Sequence, residues 1–295
     1  MLGKLKKFRA WLFSGKSEKA SHLLILPASF WLAFFLVIPI VLLLILSLAQ
    51  RGPYGTIIWH HPTLDNFRRV FTPLYIPIVA RTLLYCGTAA VICLLLGYPT
   101  AYFLSFYAGE WRDTFLILLM IPFWTSALVS IYSWIIILGR GGLMNSVLTG
   151  TGLLRTPLDV LNTPFSVILG LVYFYLPFMI LPLYSSLEKI PKQYMEASYD
   201  LGAGALQTFL KVTLPLSLPG VFAGFILTFV PCLGDFLTAE FLGGPRTYLI
   251  GNLIENQFLM AQDWPFGAAL TAVLLCAMLV GLYYYQKLEA AETAA

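Results

Sequence analysis

Charge is scarce in this chain. Lys and Arg number 18 and Asp and Glu 14 among 295 residues, 11% in all. A soluble domain carries about 25%, so a fully water-facing surface is excluded. Hydrophobic residues make up 59% and the mean hydropathy is +0.82. Apolar runs of ~20 residues or more, without strict alternation, point to spanning helices rather than barrel strands. The chain reads as an integral, all-α membrane protein.

Histidine and cysteine are almost as sparse. His22, His60 and His61 are the only histidines. His60, His61 and Asp65 fall in one loop, but adjacent histidines do not readily share one ion and no third lies near. No metal site is expected, and no Ser/His/Asp grouping can be assembled. Cys86, Cys93, Cys232 and Cys276 form no C-x-x-C pair and all lie within apolar runs, where Cys behaves as a small buried filler. Ser14-Gly15-Lys16-Ser17 resembles the end of a phosphate-binding loop, yet Ala10 stands where that loop needs Gly and no strand precedes it. This chain therefore has no nucleotide site of its own.

Six spans are expected, at about 22–49, 78–107, 114–138, 164–187, 216–242 and 264–286. They divide the chain into a basic N-terminal segment 1–21, a six-helix transmembrane domain 22–286 and a tail 287–295. The apolar stretch Leu23–Leu48 is too long for a cleaved leader, and no small-residue cleavage site follows. Prolines recur inside the spans (Pro27, Pro39, Pro99, Pro122, Pro219, Pro231). Such breakers are tolerated in lipid where neighbouring helices or water satisfy the freed backbone groups, so a packed bundle is expected.

Lysine is absent from three loops, about 50–77, 139–163 and 243–263. All nine lysines lie in the N-terminal segment, the loop between spans four and five, or the tail. Arg51, Arg68, Arg69, Arg140, Arg155 and Arg246 dilute the bias without reversing it. The positive-inside rule then places both termini in the cytoplasm. The net charge of +4 reflects topology and implies no nucleic-acid partner.

Against this apolar background one polar stretch stands out, Glu196–Gly220, within a loop at 188–214. Pro191 opens a short amphipathic helix carrying Glu196, Ala197, Ser198 and Asp200, and Gly202 supplies a left-handed stop. Leu206, Phe209, Leu210 and Leu214 then recur with helical spacing. A connector lying on headgroups would favour Lys and Arg on its polar face. Two acids there favour a protein partner, with Glu196 able to accept a bidentate Arg.

The spacing Glu196-Ala197-Ser198, three residues, Gly202, nine residues, Val212-x-Leu214-Pro215 resembles the signature of binding-protein-dependent ABC importer permeases. Ser198 and Val212 depart mildly from the usual Ala and Ile. "GYPTAY" (97–102), "IPFWTSALVSIYSW" (121–134), "LVYFYLPFMILPLYSSLEKI" (171–190), "GDFLTAEFLGGP" (234–245) and "QDWPFGAA" (262–269) resemble the spermidine/putrescine branch. The resemblance implies a type I importer permease fold in a bacterial inner membrane and alternating access driven by ATP. The loop, with Leu214 and Pro215 at its end, would be a coupling element seated in the ATPase. The implied partners are a second permease, two ATP-binding subunits and an external substrate-binding protein, besides membrane lipid. ATP and Mg would be bound by the ATPase, leaving this chain without a cofactor or an enzymatic activity.

A polyamine path needs carboxylates and aromatic faces. Asp235 is the one acid well inside a span, following Pro231 and Gly234, and Glu240 comes five residues later. On an unbroken helix the two would diverge by about 140°; a break at Pro231–Gly234 would let both face one cavity. Arg81 is the basic residue placed to pair with Asp235 instead. Trp124, Tyr132 and Trp134 are the aromatic candidates. The alternatives are a related importer for aminoethylphosphonate, thiamine or an oxyanion, or a self-contained secondary transporter. An anion carrier should show basic groups where Asp235 and Glu240 stand, and a secondary transporter usually repeats its broken segments; neither feature is found.

Overall fold

A computed structural model describes residues 18–59 and 62–293. Lys4, Lys6, Lys7 and Lys16 of the basic segment, the 14–17 sequence, His60 and His61 lie outside the described residues. Six stretches are long and apolar enough to cross a membrane.

The first helix, α1 (Glu18–Ser47), packs only against the last long helix, α13 (Trp264–Thr293), among its larger contacts. It leaves Phe30, Trp31, Phe34 and Phe35 exposed. A hairpin of β1 (Gln50–Arg51) and β2 (Ile57–Ile58) and the short α2 (Asp65–Val70) follow. The centre of the bundle is built by α3 (Ile76–Phe106), α7 (Pro164–Glu188) and α10 (Leu214–Leu233). Without a hydrophobic drive in lipid, helices associate through close packing at small residues. Gly220 and Gly224 of α10 serve this purpose. A Cβ at Gly220 would run into Cβ of Ser186, and one at Gly224 would lie 2.9 Å from the Met179 carbonyl. Cys86, Cys93 and Cys232 are buried in this core as expected; Cys276 instead lies exposed on α13.

Helix starts follow the local chemistry. Thr163 caps α7 with Pro164 at its first position, and Ser166 reciprocates, which satisfies donors that have no intrahelical partner. The expected fourth span matches α7 closely, as the second matches α3. The third does not. Pro122 precedes an interruption at Thr125–Ser126, so the expected 114–138 span is two helices, α4 (Arg112–Trp124) and α5 (Ala127–Leu138). The stretch apolar and long enough to cross is Ala127–Gly150, which adds α6 (Leu143–Gly150) beyond a turn.

The fifth span is broken as well. Its helical part begins earlier, at Ala205, and α10 stops at Leu233. After the break α11 (Leu237–Leu242) climbs beside α7, where Ser166 Oγ donates to the Leu242 carbonyl at 2.8 Å. The chain returns through α12 (Ile250–Leu259) into α13. Arg69 and Arg51 reach the buried Asp263 at 2.9 and 3.9 Å, and the Arg69 guanidinium lies 4.0 Å from the Phe266 ring centre. These contacts hold α2 and the hairpin against the start of α13.

Candidate functional site

Two places in the fold combine polar chemistry with an open surface. The first is the loop at the C-terminal end of α7, where Arg112 of α4 pairs with Glu188 at 2.7 Å. Pro191, with extended backbone, precedes α8 (Lys192–Asp200). The helix ends as its residues dictate. The amides of Leu201, Gly202 and Ala203 donate to the carbonyls of Ala197, Tyr199 and Ser198 at 3.1, 2.9 and 3.1 Å. Gly202 sits at φ +82°, a conformation that glycine adopts without a Cβ penalty. A single turn, α9 (Ala205–Thr208), runs through a π turn (Phe209–Thr213) into α10.

Glu196, Ala197 and Asp200 are exposed on α8, while Ser198 is half-buried. Its hydroxyl lies 3.0 Å from that of the buried Thr208, which ties α8 to α9. Leu201 is 89% exposed, and Tyr194, Tyr199, Leu206 and Leu210 are exposed around it. A groove of about 710 Å³ runs beside this patch between α8 and the start of α10, lined in part by Ala197, Gly202, Lys211 and Pro215. Leu214 and Pro215 belong to the first turn of α10.

The second place is the break in span five. The Asp235 carboxylate caps the first turn of α11: Oδ1 accepts the Thr238 amide at 2.9 Å and Oδ2 the Thr238 hydroxyl at 2.9 Å. The Tyr175 hydroxyl donates to Oδ2 at 3.2 Å. Tyr175 lies thirteen residues before Glu188 in α7, about 20 Å along the helix at 1.5 Å per residue. Asp235 therefore stands near the mid-length of the bundle. It lines a cavity of about 550 Å³ between the α4–α5 break, α7 and the α10–α11 break, walled by Phe123, Phe174, Phe178 and Phe236. Asp235 is the one charged residue among the described residues lining it.

Of the five path candidates, this cavity brings in Asp235 alone. Trp124 is 77% exposed, Tyr132 packs on Phe241 at 5.7 Å and Trp134 on Tyr173 at 5.5 Å. Glu240 points elsewhere and accepts the Asn252 amide at 2.9 Å. Arg81 donates to the Tyr248 carbonyl at 3.3 Å, and no ion pair to Asp235 occurs among the described residues. Burial, and then the carboxylates of Glu240 and Glu255, push the Tyr248 hydroxyl up to about 12, so it stays a donor and bonds the Asn252 carbonyl at 2.9 Å. Sequence reasoning missed Tyr175, Thr238 and the phenylalanines. Tyr175 lies four residues after Leu171 and eight after Val167, both wholly buried, on the stripe of α7 that faces the core. That register was the available signal.

Residues 20–291 match the family model described as binding-protein-dependent transport system inner membrane component. The spermidine/putrescine transport system permease protein PotB of Haemophilus influenzae is 43% identical over 257 residues, covering 86% of this chain and 89% of that protein. PotB of Escherichia coli is 41% identical, covering 87% and 93%. Among solved structures, a bacterial alginate ABC transporter in complex with its alginate pentasaccharide-bound periplasmic protein aligns with TM-score 0.73 at 18% identity, covering 92% of this chain and 93% of that one. The MetNI methionine ABC transporter in inward-facing conformations aligns with TM-score 0.55 at 17% identity, covering 75% and 99%. At such identities these two likenesses speak for the fold alone. With its six apolar stretches and its match over residues 20–291, the chain belongs to the family of binding-protein-dependent transport system inner membrane components, as a multi-pass inner-membrane permease.

Proposed function

We propose that this chain is a permease subunit of an ATP-driven importer that carries polyamines such as spermidine or putrescine by alternating access. The observation that carries the reading is Asp235, a lone carboxylate in an aromatic-walled cavity at a break in span five. A carboxylate offers about four acceptor positions; Thr238 and Tyr175 occupy three, leaving one for an alkylammonium. Phenylalanine faces beside it attract the same cation. One fixed charge binds strongly enough to admit the cation and weakly enough to release it. The names carried by the 41–43% identical relatives support the same substrate class.

In this reading α8 seats in a cleft of an ATP-binding subunit, with Glu196 meeting a basic group and Leu201 and Tyr194 filling an apolar hollow. Two such subunits close on ATP and Mg, which this chain does not bind, and hydrolysis belongs to them. The motion enters through α8, the Ser198–Thr208 link and α9 into α10. A second permease completes the path and an external binding protein delivers the substrate. The loop at 188–214 and both termini face the cytoplasm.

The test is uptake of radiolabelled spermidine into proteoliposomes holding the assembled importer, with ATP inside and loaded binding protein outside. Asp235→Asn is expected to cut the maximal rate about tenfold or more, and Asp235→Glu to keep more of it because the charge survives. Wild-type uptake by Asp235→Asn at normal assembly would refute the role of the carboxylate.

A further inference from the structure

The turn that carries Asp235 is held from two sides. Its own carboxylate binds Thr238 and Tyr175 within the cavity, as above. From the other side α12 presses directly on its backbone. A Cβ at Gly251 would lie 2.9 Å from the Asp235 carbonyl and 3.0 Å from that of Gly234. Beside it, Asn252 is 1% exposed and its carboxamide is fully engaged. Nδ2 donates to the Phe236 carbonyl at 2.9 Å and to Glu240 Oε2 at 2.9 Å. Oδ1 accepts the Leu249 amide at 3.3 Å. The helix start is pinned in turn, since the Ile250 amide donates to the Thr82 hydroxyl of α3 at 2.9 Å.

A buried polar side chain with every group satisfied fixes one arrangement, because any displacement strands a donor in an apolar surrounding. Asn252 bonds the residue after Asp235 and, through Glu240, the middle of α11. Gly251 closes off rotation of the Asp235–Phe236 peptide, whose carbonyl it faces, and the Asn252 bond fixes the Phe236–Leu237 peptide that follows. With both peptides held, the backbone at Asp235 fixes the direction from which its side chain leaves.

We propose that Asn252 is a positioning residue for cation transfer: with Gly251 it holds the Gly234–Phe236 turn so that the free acceptor of Asp235 faces the cavity. This rests on the reading of Asp235 as the cation-binding group. Asn252 itself never touches the substrate. It follows that α12, which lies outside the spans, holds one side of the site in the middle of the bundle.

The experiment is a double-mutant cycle in the reconstituted importer, measuring maximal uptake and the half-saturating concentration of loaded binding protein. Asn252→Leu keeps the branched outline and the number of heavy atoms while removing both donors and the acceptor. It is expected to lower maximal uptake about tenfold, leave half-saturation unchanged, and leave the yield of assembled complex near wild type. Asn252→Gln, which retains the donors, should recover part of the rate, and Glu240→Gln should change it less than about twofold. Because Asn252 acts through Asp235, the Asp235→Asn/Asn252→Leu double variant should be no slower than Asp235→Asn alone.

Multiplicative losses in the double variant, or a fall in stability with unaltered uptake per assembled complex, would overturn the proposal. So would a Glu240→Gln loss equal to that of Asn252→Leu, since the turn would then not be the target. An unimpaired Asp235→Asn variant would instead defeat the reading on which the proposal rests, whatever Asn252→Leu does. If Asn252→Leu does not assemble, Gly251→Ala takes its place in the same cycle, with the same expected non-additivity.

Discussion

Gly202 offers a perturbation whose cost can be worked out from the backbone alone. Its φ is +82°, and nothing lies within 4 Å of where a Cβ would stand. Substitution therefore meets no steric neighbour, and the penalty is the intrinsic cost of the left-handed conformation. That cost is about 1 kcal/mol for Ala, only a few tenths for Asn, which visits this region more freely, and clearly more for β-branched Val. At 0.59 kcal/mol for RT, 1 kcal/mol lowers the ratio of correctly terminated to frayed α8 about fivefold. The amide of Gly202 donates to Tyr199 and that of Ala203 to Ser198, so fraying releases the end of the helix that would press on the ATPase. The expected order of binding-protein-stimulated ATP hydrolysis is Gly, then Asn, then Ala, then Val. The assay is stimulated hydrolysis by the purified complex, normalised to the amount of co-purified ATP-binding subunit. An order that follows side-chain size, with Asn below Ala, would refute the backbone argument. Full activity in Gly202→Val would refute the coupling role of the turn.

At the opposite end, Arg69→Ala should lower the melting temperature of the assembled complex more than Arg51→Ala. Arg69 bonds the buried Asp263 carboxylate at 2.9 Å and stacks on Phe266, whereas Arg51 reaches the same oxygen at 3.9 Å and bonds the neutral Ala261 carbonyl; losing Arg69 leaves the buried carboxylate without its close partner, which costs about 1.5–3 kcal/mol, and equal shifts would contradict this ranking. Ser198→Ala removes the bond to Thr208, worth about 1 kcal/mol, and should reduce stimulated hydrolysis modestly, with Thr208→Val giving the same loss and the pair no more than either alone. Topology is tested with Cys276→Ser as background: Lys192→Cys should react with a membrane-impermeant thiol reagent only from the cytoplasmic side and Arg246→Cys only from outside, and the reverse pattern would remove α8 from reach of any ATPase.

The class and the number of apolar stretches were legible because they rest on run length, and the short helix after Pro191 with its stop at Gly202 because it rests on local spacing; the expected loop end at 214 was not, since helical structure resumes at Ala205. The two interruptions were legible only in part. Pro231 and Gly234 announced a break in span five, and it lies at Gly234–Phe236. Pro122 gave an equal signal in span three, yet the expected helix ran through it, because prolines such as Pro99 and Pro182 sit inside unbroken helices here. Whether a proline breaks a helix depends on which neighbour takes up the freed carbonyl, and no run of sequence states that. The aromatic residues show the same limit. Trp124 adjoins Phe123 in α4 and Tyr173 adjoins Phe174 in α7, yet only the phenylalanine of each pair lines the cavity; rotation about the helix axis decides which ring meets it.

The two interruptions meet, and this says more than either alone. Thr125 from the α4–α5 break and Gly234, Asp235 and Phe236 from the α10–α11 break line one cavity, with Tyr175 of the unbroken α7 between them. A peptide group without a partner costs several kcal/mol in hydrocarbon, so irregular backbone at the mid-length of a bundle persists only where it is satisfied or wet. Side chains supply part of that satisfaction here: the Thr125 hydroxyl donates to the Pro122 carbonyl at 2.9 Å, Asp235 accepts the Thr238 amide and Asn252 donates to the Phe236 carbonyl. Two breaks at one cavity, each held by polar side chains, describe a lining rather than a packing fault. A packing fault would be filled by apolar side chains; this one keeps a carboxylate and an open volume beside it. On the proposed reading, motion delivered to α10 from α8 is taken up in the last turn of α10 before Gly234, because Gly251 and Asn252 hold the Gly234–Phe236 turn and α11 against α12. A disulfide-free cross-link test follows: bridging α11 to α12 chemically should leave uptake intact, because Asn252 already fixes that pair. Bridging α10 to α11 across Gly234 should stop uptake while ATP binding persists, and normal uptake with that bridge in place would show that span five moves as one piece.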